Sequence, residues 1–386
     1  MQQGACSNAE DETKMKATLF PACENGNKDI VLNLILRGDD INATDSHKRT
    51  PLHVACRNGH GSIAGLLIRY GAQVNAEDEN MATPLDLACQ NDFGTIVMLL
   101  IHHGAKVTTK DKTARTPLHL VSSMGHQELI ALLIHRGAHI NAEDDKGETP
   151  IYKACRKGHQ DAVAVLLEEN ADVHVSSKAG KTPLHYACEA GHTRIAEILV
   201  NGGADVNARD NLEKTPVFYA CQRGYIETAE HLIAAGADIH SAYRPGQPLP
   251  SDETVECSNC KDPLCPWQKD YISDFTKTPL HAACEKHHLN VAELLLKHGA
   301  DPNARDCRER TPLHYAYAVR NKDMESLLCQ NGADEKAKDI NGNLPKDLRS
   351  LEVSRTWKES IRGNWKFYLV CLMVVLGLCT LLPSSR

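Results

Sequence analysis

The sequence has little that would equip an enzyme. Its 386 residues contain no glycine-rich phosphate loop, no paired carboxylates in a plausible pocket, and no nucleophile with an orienting base and third group. Turnover chemistry is therefore not expected, and no cofactor is required. Positive charge is also in deficit: 43 Lys and Arg against 50 Asp and Glu leave a formal net charge of -7. Non-specific nucleic-acid binding rests on neutralising phosphates, so no nucleic-acid partner is expected. The amino terminus, Met1-Gln2-Gln3-Gly4, has no charged stretch leading into an apolar run, and no secretory leader is expected from it.

What the chain does have is a repeat. The stretch Thr50-Pro51-Leu52-His53-Val54-Ala55-Cys56-Arg57-Asn58-Gly59-His60 returns in variant form at Thr83, Thr116, Thr149, Thr182 and Thr215, at a spacing of 33 residues. It appears again at Thr278 and Thr311. The step from Thr215 to Thr278 is 63 residues, so 30 extra residues lie inside one period. A weaker copy, Ala22-Cys23-Glu24-Asn25-Gly26, precedes the series, and a fading one with Leu344-Pro345 in place of Thr-Pro follows it. A fixed period of this length points to a solenoid, in which each unit buries its apolar face only against its neighbours.

The T-P-L-H-x-A core at this period resembles the ankyrin repeat family. The resemblance covers nine near-complete units from Ala17 to about Lys338, with a partial unit after them. It implies an all-α solenoid of stacked helix-turn-helix repeats with protruding hairpin or finger loops. The domain plan that follows is a disordered or capping segment at 1–16, a solenoid over 17–348 interrupted by a Cys-containing insertion at 243–276, a basic segment at 349–366 and an apolar segment at 367–385.

The repeat at Thr182 shows the local logic. Thr182 is placed to cap a helix N-terminus, and Pro183 at the first helical position gives up an N–H that has no partner there in any case. Leu184, Ala187 and Cys188 fall on one face at helical spacing, and Gly191 ends the helix. Ile195, Ile198 and Leu199 mark a second helix. Neither helix is long enough to stand alone, so stacking must supply the burial.

Seven of the 15 cysteines share one slot: Cys23, Cys56, Cys89, Cys155, Cys188, Cys221 and Cys284. On successive buried helices they are expected to act as small apolar side chains rather than as a disulfide framework, which fits a reducing compartment. His53, His119, His185, His281 and His314 share another slot. The resemblance implies that they tie neighbouring units by hydrogen bonds, and Asp86, Tyr152 and Phe218 in the same slot argue against a shared chemical site. The Gly-His pairs at Gly59, Gly125, Gly158 and Gly191 read as turn elements. In the third unit Asp92-Phe93 replaces the pair, and Phe93 is either a partner anchor or locally packed. Tyr317 stands where the recurring Cys would be and points to a changed packing layer near the end.

By the same resemblance, recognition belongs on a concave side built from finger tips and first helices. The fingers are 44–48, 77–81, 110–115, 143–148, 176–181, 209–214 and 305–310. The matching exposed helix pairs are Arg57-Asn58, Gln90-Asn91, Ser123-Met124, Arg156-Lys157, Glu189-Ala190 and Gln222-Arg223. Charge alternates along the fingers: Glu77, Asp78 and Glu79 read as an acidic tip, Lys110, Lys112 and Arg115 as a basic one, and Glu143, Asp144, Asp145 and Glu148 as acidic again. Such a mosaic suits a protein partner selected by charge.

Two stretches break the 33-residue count. The insertion carries Cys257-x2-Cys260-x4-Cys265, a spacing that makes Cys257, Cys260 and Cys265 candidate ligands of a structural Zn²⁺. A fourth ligand would have to come from His240, His281 or Cys284, and a loop with free thiols, or a redox or lipid-modified cluster, is the alternative. Trp267 and Tyr271 add an apolar patch there, and the insertion joins the concave side as a candidate partner-binding element. At the other end, Phe367 to Leu382 carries no charge for 16 residues and follows Arg355, Lys358, Arg362 and Lys366. With Pro383 to Ser385 it approaches the length of a membrane span, and the positive-inside tendency would keep the repeats cytosolic. The expectation is a membrane-tethered, single-pass, tail-anchored adaptor with membrane lipid as a second partner. Its alternatives are a truncated or minimal relative of an ankyrin-containing multi-pass channel or acyltransferase, and a soluble regulator with a zinc-binding insertion.

Overall fold

The computed structural model describes residues 18–241 and 277–349. Within them the chain is all helical, built from short antiparallel helix pairs with protruding fingers. It divides into two compact units between Asn211 and Leu212.

The first unit holds six pairs. Its inner helices are Leu19–Glu24, Pro51–Arg57, Pro84–Gln90, Pro117–Met124, Pro150–Lys157 and Pro183–Ala190. Its outer helices are Lys28–Leu36, Gly61–Arg69, Gly94–His102, Gln127–His135, Gln160–Glu168 and Thr193–Asn201. The second unit holds the pairs Pro216–Arg223 with Ile226–Ala234, Pro279–Glu285 with Leu289–Lys297, and Pro312–Ala318 with Lys322–Gln330, closed by the 3₁₀ turn Pro345–Asp347. The repeat at Thr215 packs directly on the repeat at Thr278, so the extra residues between them do not interrupt the stack.

Each inner helix starts the same way. The Thr sits in extended backbone at the N-cap, with φ -88° and ψ 165° at Thr50, and Pro occupies the first helical turn. The Leu, Ala and Cys slots are fully buried against the outer helix and the neighbouring repeats: Leu52, Ala55 and Cys56 meet the layer of Ile63, Ala64 and Leu67. Burial pushes the thiols of Cys56, Cys155, Cys221 and Cys284 above the ordinary range, because a thiolate there would be stranded away from water. Tyr317 breaks the layer as expected: it is only partly buried, with the Arg349 guanidinium 4.9 Å from its ring centre.

Helix ends are set by left-handed residues. Gly125, at φ 86°, lies under the ring of His159, and a Cβ at Gly125 would fall 2.5 Å from its Nδ1. The same stacking recurs for His60 over Gly26, His192 over Gly158 and His288 over Gly224. Phe93 lies over Gly59 in the equivalent place, so it is packed locally rather than free to anchor a partner.

The segments 1–16, 243–276 and 367–385, and all of 349–366 except Arg349, lie outside the described residues.

Candidate protein-binding face

The His slot is a joint between repeats. The Thr50 backbone N–H donates to His53 Nδ1 at 3.0 Å, which leaves the proton on Nε2; that N–H donates to the carbonyl of Ala82, immediately before the next repeat, at 3.1 Å. His119 reaches the Glu148 carbonyl at 3.0 Å, His281 the Arg310 carbonyl at 3.0 Å and His314 the Asn343 carbonyl at 3.4 Å. Burial holds His119 and His281 down to about 4, so both are neutral and the bonding pattern is fixed. Tyr152 replaces the tie with its own hydroxyl, which donates to the Lys181 carbonyl at 2.9 Å.

The substitutions leave marks. Asp86 accepts from the Thr83 N–H at 2.8 Å and Thr83 Oγ1 at 2.7 Å through Oδ2, while its Oδ1 is buried without a partner. Phe218 has no polar group at all. With Tyr152 and Phe218 in the slot, the cap hydroxyls Thr149 Oγ1 and Thr215 Oγ1 are buried and unsatisfied. The Gly-His histidines are a second set of ties, beyond their expected place in turns: His60 donates to the Glu24 carbonyl at 3.0 Å, His159 to that of Ser123 at 2.9 Å and His288 to that of Gln222 at 3.2 Å. The last of these spans the insertion.

Most fingers are tight turns closed by an aspartate; in the finger at 176–181 Ser177 takes that slot and its hydroxyl is buried without a partner. Asp78 Oδ1 accepts the backbone N–H groups of Asn80 and Ala82 at 2.7 and 2.9 Å, and Asp45, Asp111, Asp144, Asp306 and Asp339 do the same two and four residues on. Adjacent fingers are joined by single backbone bonds: Glu79 N to His47 O, Lys112 N to Asn80 O, Asp145 N to Thr113 O, Lys178 N to Lys146 O and Asn211 N to Ala179 O. These bonds revise the charge mosaic. Asp78 and Asp144 are buried turn-closers, and Arg115 is held by Asp111 of its own finger at 2.8 Å. Glu148 is buried as well. The charge left on these tips is that of Glu77, Lys110, Lys112, Glu143, Asp145 and Lys146, all exposed, while Glu79 is exposed but meets His47 of the neighbouring finger at 2.7 Å.

Where Glu148 and Asp144 go, the sequence did not reveal. The Lys153 ammonium pairs with Asp144 at 2.6 Å and also with Glu148, and side-chain exposures of 11%, 2% and 6% put the triad almost out of water. Tyr186 OH donates to the other Glu148 oxygen at 3.0 Å. In the second unit Tyr315 donates to Asp306 at 2.6 Å, with Lys277 and Arg310 within 5.0 Å of its ring centre. Lys153, Tyr186, Tyr219 and Tyr315 all occupy the position after the His slot. It shares a helix face with the exposed pair three and four residues on, and that periodicity was the available signal.

Of the exposed pairs themselves, Arg57, Asn58, Gln90, Met124, Arg156 and Lys157 stand open on the inner helices of the first unit, while Glu189 is taken by Lys181 at 2.6 Å. Two shallow cavities meet at Arg57. One, of about 370 Å³, is lined by His47, Arg49, Arg57, Asp78, Glu79, Asn80, Leu87, Gln90 and Asn91; the other, of about 210 Å³, by Phe20, Glu24, Asp45, Arg49, Val54, Arg57 and Asn58. Of their carboxylates, Asp78 closes its turn, Asp45 holds Arg49 and Glu79 pairs with His47.

The metal candidates Cys257, Cys260 and Cys265 lie outside the described residues. Among the described residues no cluster of three or more His, Cys, Asp or Glu is placed to hold a metal. Two of the proposed fourth ligands are engaged elsewhere: His281 is tied to Thr278 and Arg310, and Cys284 is buried in the repeat core. The zinc-binding regulator is therefore not supported.

The paired short helices, the aspartate-closed fingers and an exposed row that varies over a fixed core define a repeat scaffold. The chain belongs to the ankyrin repeat family: the profile for ankyrin repeats in three copies matches residues 19–111, 109–177, 170–242 and 256–339. The crystal structure of the human ASB11 ankyrin repeat domain is similar, with a TM-score of 0.53 and 28% identity over 58% of this chain and 99% of that one. No match is found among curated proteins. The matched residues form repeats of a non-catalytic scaffold fold.

The membrane tether does not stand. No helix among the described residues is long and apolar enough to cross a membrane. The outer helices are nine residues long, about 14 Å at 1.5 Å per residue, against a hydrocarbon core of about 30 Å. The apolar stretch 367–385 that prompted the tail anchor lies outside the described residues, and both the family match and the ASB11 likeness concern the repeats. The single-pass topology, the lipid partner and the truncated channel or acyltransferase alternative are withdrawn with it.

Proposed function

We propose that the chain is a binding scaffold that holds protein partners on the face made by its fingers and inner helices. One contrast carries the reading. The buried slots of each inner helix repeat the same residue types, whereas the exposed pair beside them changes from Arg57-Asn58 to Gln90-Asn91, Ser123-Met124 and Arg156-Lys157. Met124, exposed at 37%, puts an apolar group into this row beside its amide and cationic positions. The rigid stack presents these side chains at fixed spacing, so a partner meets a preformed surface and loses little entropy to its reorganisation.

Photo-crosslinking tests this directly. A benzophenone amino acid placed at Met124 samples the inner face, and one at Met98, exposed at 52% on an outer helix, serves as the control. Discrete protein adducts from position 124 and not from position 98 are expected in cells that express the chain. Adducts dominated by position 98 would move the binding face to the outer helices.

A further inference from the structure

The inner face of the first unit has a charge asymmetry that the sequence conceals. The finger carboxylates nearest the inner helices are engaged: Asp45, Asp78, Asp111 and Asp144 each close a turn, and Glu148 is held by Lys153 and Tyr186; Glu77, Glu143 and Asp145 stay exposed at the finger tips. The inner-helix cations are not. Among the described residues no carboxylate pairs with Arg57, Arg156 or Lys157, and all three are exposed. Between them lie only the uncharged Gln90, Asn91, Ser123 and Met124. Arg57 stands where the two cavities meet, with room beside it for an incoming side chain.

We infer that this face binds an extended acidic segment of a protein partner, one carboxylate meeting Arg57 and a second meeting Arg156 and Lys157. The inference rests on the scaffold reading and adds the chemistry of the partner. The helices Pro51–Arg57, Pro84–Gln90, Pro117–Met124 and Pro150–Lys157 pack in succession. Adjacent packed helices lie about 8–10 Å apart, so the two cationic positions are separated by roughly 25–30 Å. An extended chain advances about 3.3 Å per residue, which sets the two acidic positions about eight or nine residues apart. The intervening residues cross amide, hydroxyl and thioether groups and need carry no charge. A nucleic acid fits less well, because it would carry a phosphate at every nucleotide past the exposed Glu77, Glu143 and Asp145 of the bordering tips, whereas a peptide needs negative charge only at the two cationic positions.

A random peptide library of about sixteen residues, long enough to span both positions, displayed on phage and selected against the full chain, reads the preference. Enriched sequences are expected to carry Asp or Glu at two positions about eight or nine residues apart. A synthetic copy of such a peptide should bind Arg57→Glu roughly tenfold more weakly, the scale of one lost charge-assisted contact. Changing only its matching acidic residue to Lys should recover the affinity. The double variant Arg156→Glu/Lys157→Glu should respond to the other end of the peptide. These residues are exposed, so the variants should keep the wild-type far-ultraviolet circular dichroism; Arg57→Ala gives a milder second measurement. Enriched peptides without acidic residues, bound less well by Met124→Arg, would overturn the acidic inference and leave the scaffold reading standing. Peptides indifferent to every inner-helix substitution would sink both. A single-stranded RNA oligomer that binds in place of acidic peptides, and is weakened by Arg57→Glu, would also overturn the inference.

Discussion

Asp86 is the weakest tie in the first unit, and replacing it with His should strengthen the stack at neutral pH. Burial raises its carboxyl from 3.8 to about 6, even though two bonds from Thr83 and the nearby Arg115 favour the charged form. At pH 7 the group is ionised, with Oδ1 buried and unpartnered. A shift of that size corresponds to about 3 kcal/mol of destabilisation at pH 7. Most of this is the desolvation that an unmet oxygen would be charged for separately, so the two are not added. A His in the slot accepts from the Thr83 N–H and turns its Nε2–H toward the Arg115 carbonyl, as His53 does toward Ala82, adding about 1 kcal/mol. Some of the total is lost to fitting a larger ring, leaving an expected gain of about 2 kcal/mol at pH 7.5.

The pH dependence makes this specific. Between about 4 and 6 native Asp86 binds more protons than it does unfolded, so its penalty fades as the pH falls. A buried His in the slot behaves like His119, with a folded pKa of about 4 against about 6.5 unfolded. Its full contribution is present above pH 6.5 and drains away as the pH drops toward 4. The advantage of Asp86→His should therefore shrink steadily, vanish near about pH 5.5 and be reversed at pH 5. Repeat arrays need not unfold as one transition. Amide hydrogen exchange of peptides between Thr83 and Gly125 is thus a better readout than a melting temperature, with urea midpoints in support. Faster exchange in the variant at pH 7.5, after correction for intrinsic rates, or an equal gain at pH 7.5 and pH 5, would refute the reasoning.

Three further substitutions probe the same architecture. Thr116→Val removes a hydroxyl that contacts His119 Nδ1 at 2.9 Å and should cost about 1–2 kcal/mol, whereas Thr149→Val and Thr215→Val delete unsatisfied hydroxyls and should be neutral or mildly stabilising in urea titrations. Lys153→Met strands Asp144 and Glu148 and should cost about 3–5 kcal/mol by the same titration, with Lys153→Met/Glu148→Gln recovering part of it. Ala114 holds φ 58° at a finger tip where Gly147 and Gly180 stand in the following repeats, so Ala114→Gly should stabilise that finger by about 1 kcal/mol, read as slower exchange at residues 111–115.

The parts of the fold that recur were legible in the sequence. Thr, Pro, Leu, Ala and Cys keep their register because each meets the same neighbour in every repeat. The same recurrence contained a warning about the finger charges. Asp45, Asp78, Asp111, Asp144, Asp306 and Asp339 share one slot, and a residue fixed by period is more often structural than adapted to one partner. The Lys153 triad was beyond reach for a different reason. It draws its carboxylates from the finger before it, and nothing in the spacing of 144, 148 and 153 says which side chains fold inward. Phe93 was ambiguous by residue type and was settled only by Gly59 beneath its ring.

Phe218 carries a consequence for the length of the chain. The slots filled by His53, His119, Tyr152, His281 and His314 bind a carbonyl at a fixed count of residues ahead, which forbids insertion or deletion in the finger they reach. Phe218 makes no such demand, and Thr215 has already lost its hydroxyl partner. The helices on either side still find each other through His288 and the Gln222 carbonyl. The connection after this repeat is thus a splice point: residues can be added there while the flanking layers keep their register, at a loop-closure cost that grows only with the logarithm of the length added. A foreign domain grafted between residues 241 and 277 meets the least resistance from the His-slot joints, whereas the same graft in the finger at 143–148 would have to break the bond from His119 to the Glu148 carbonyl.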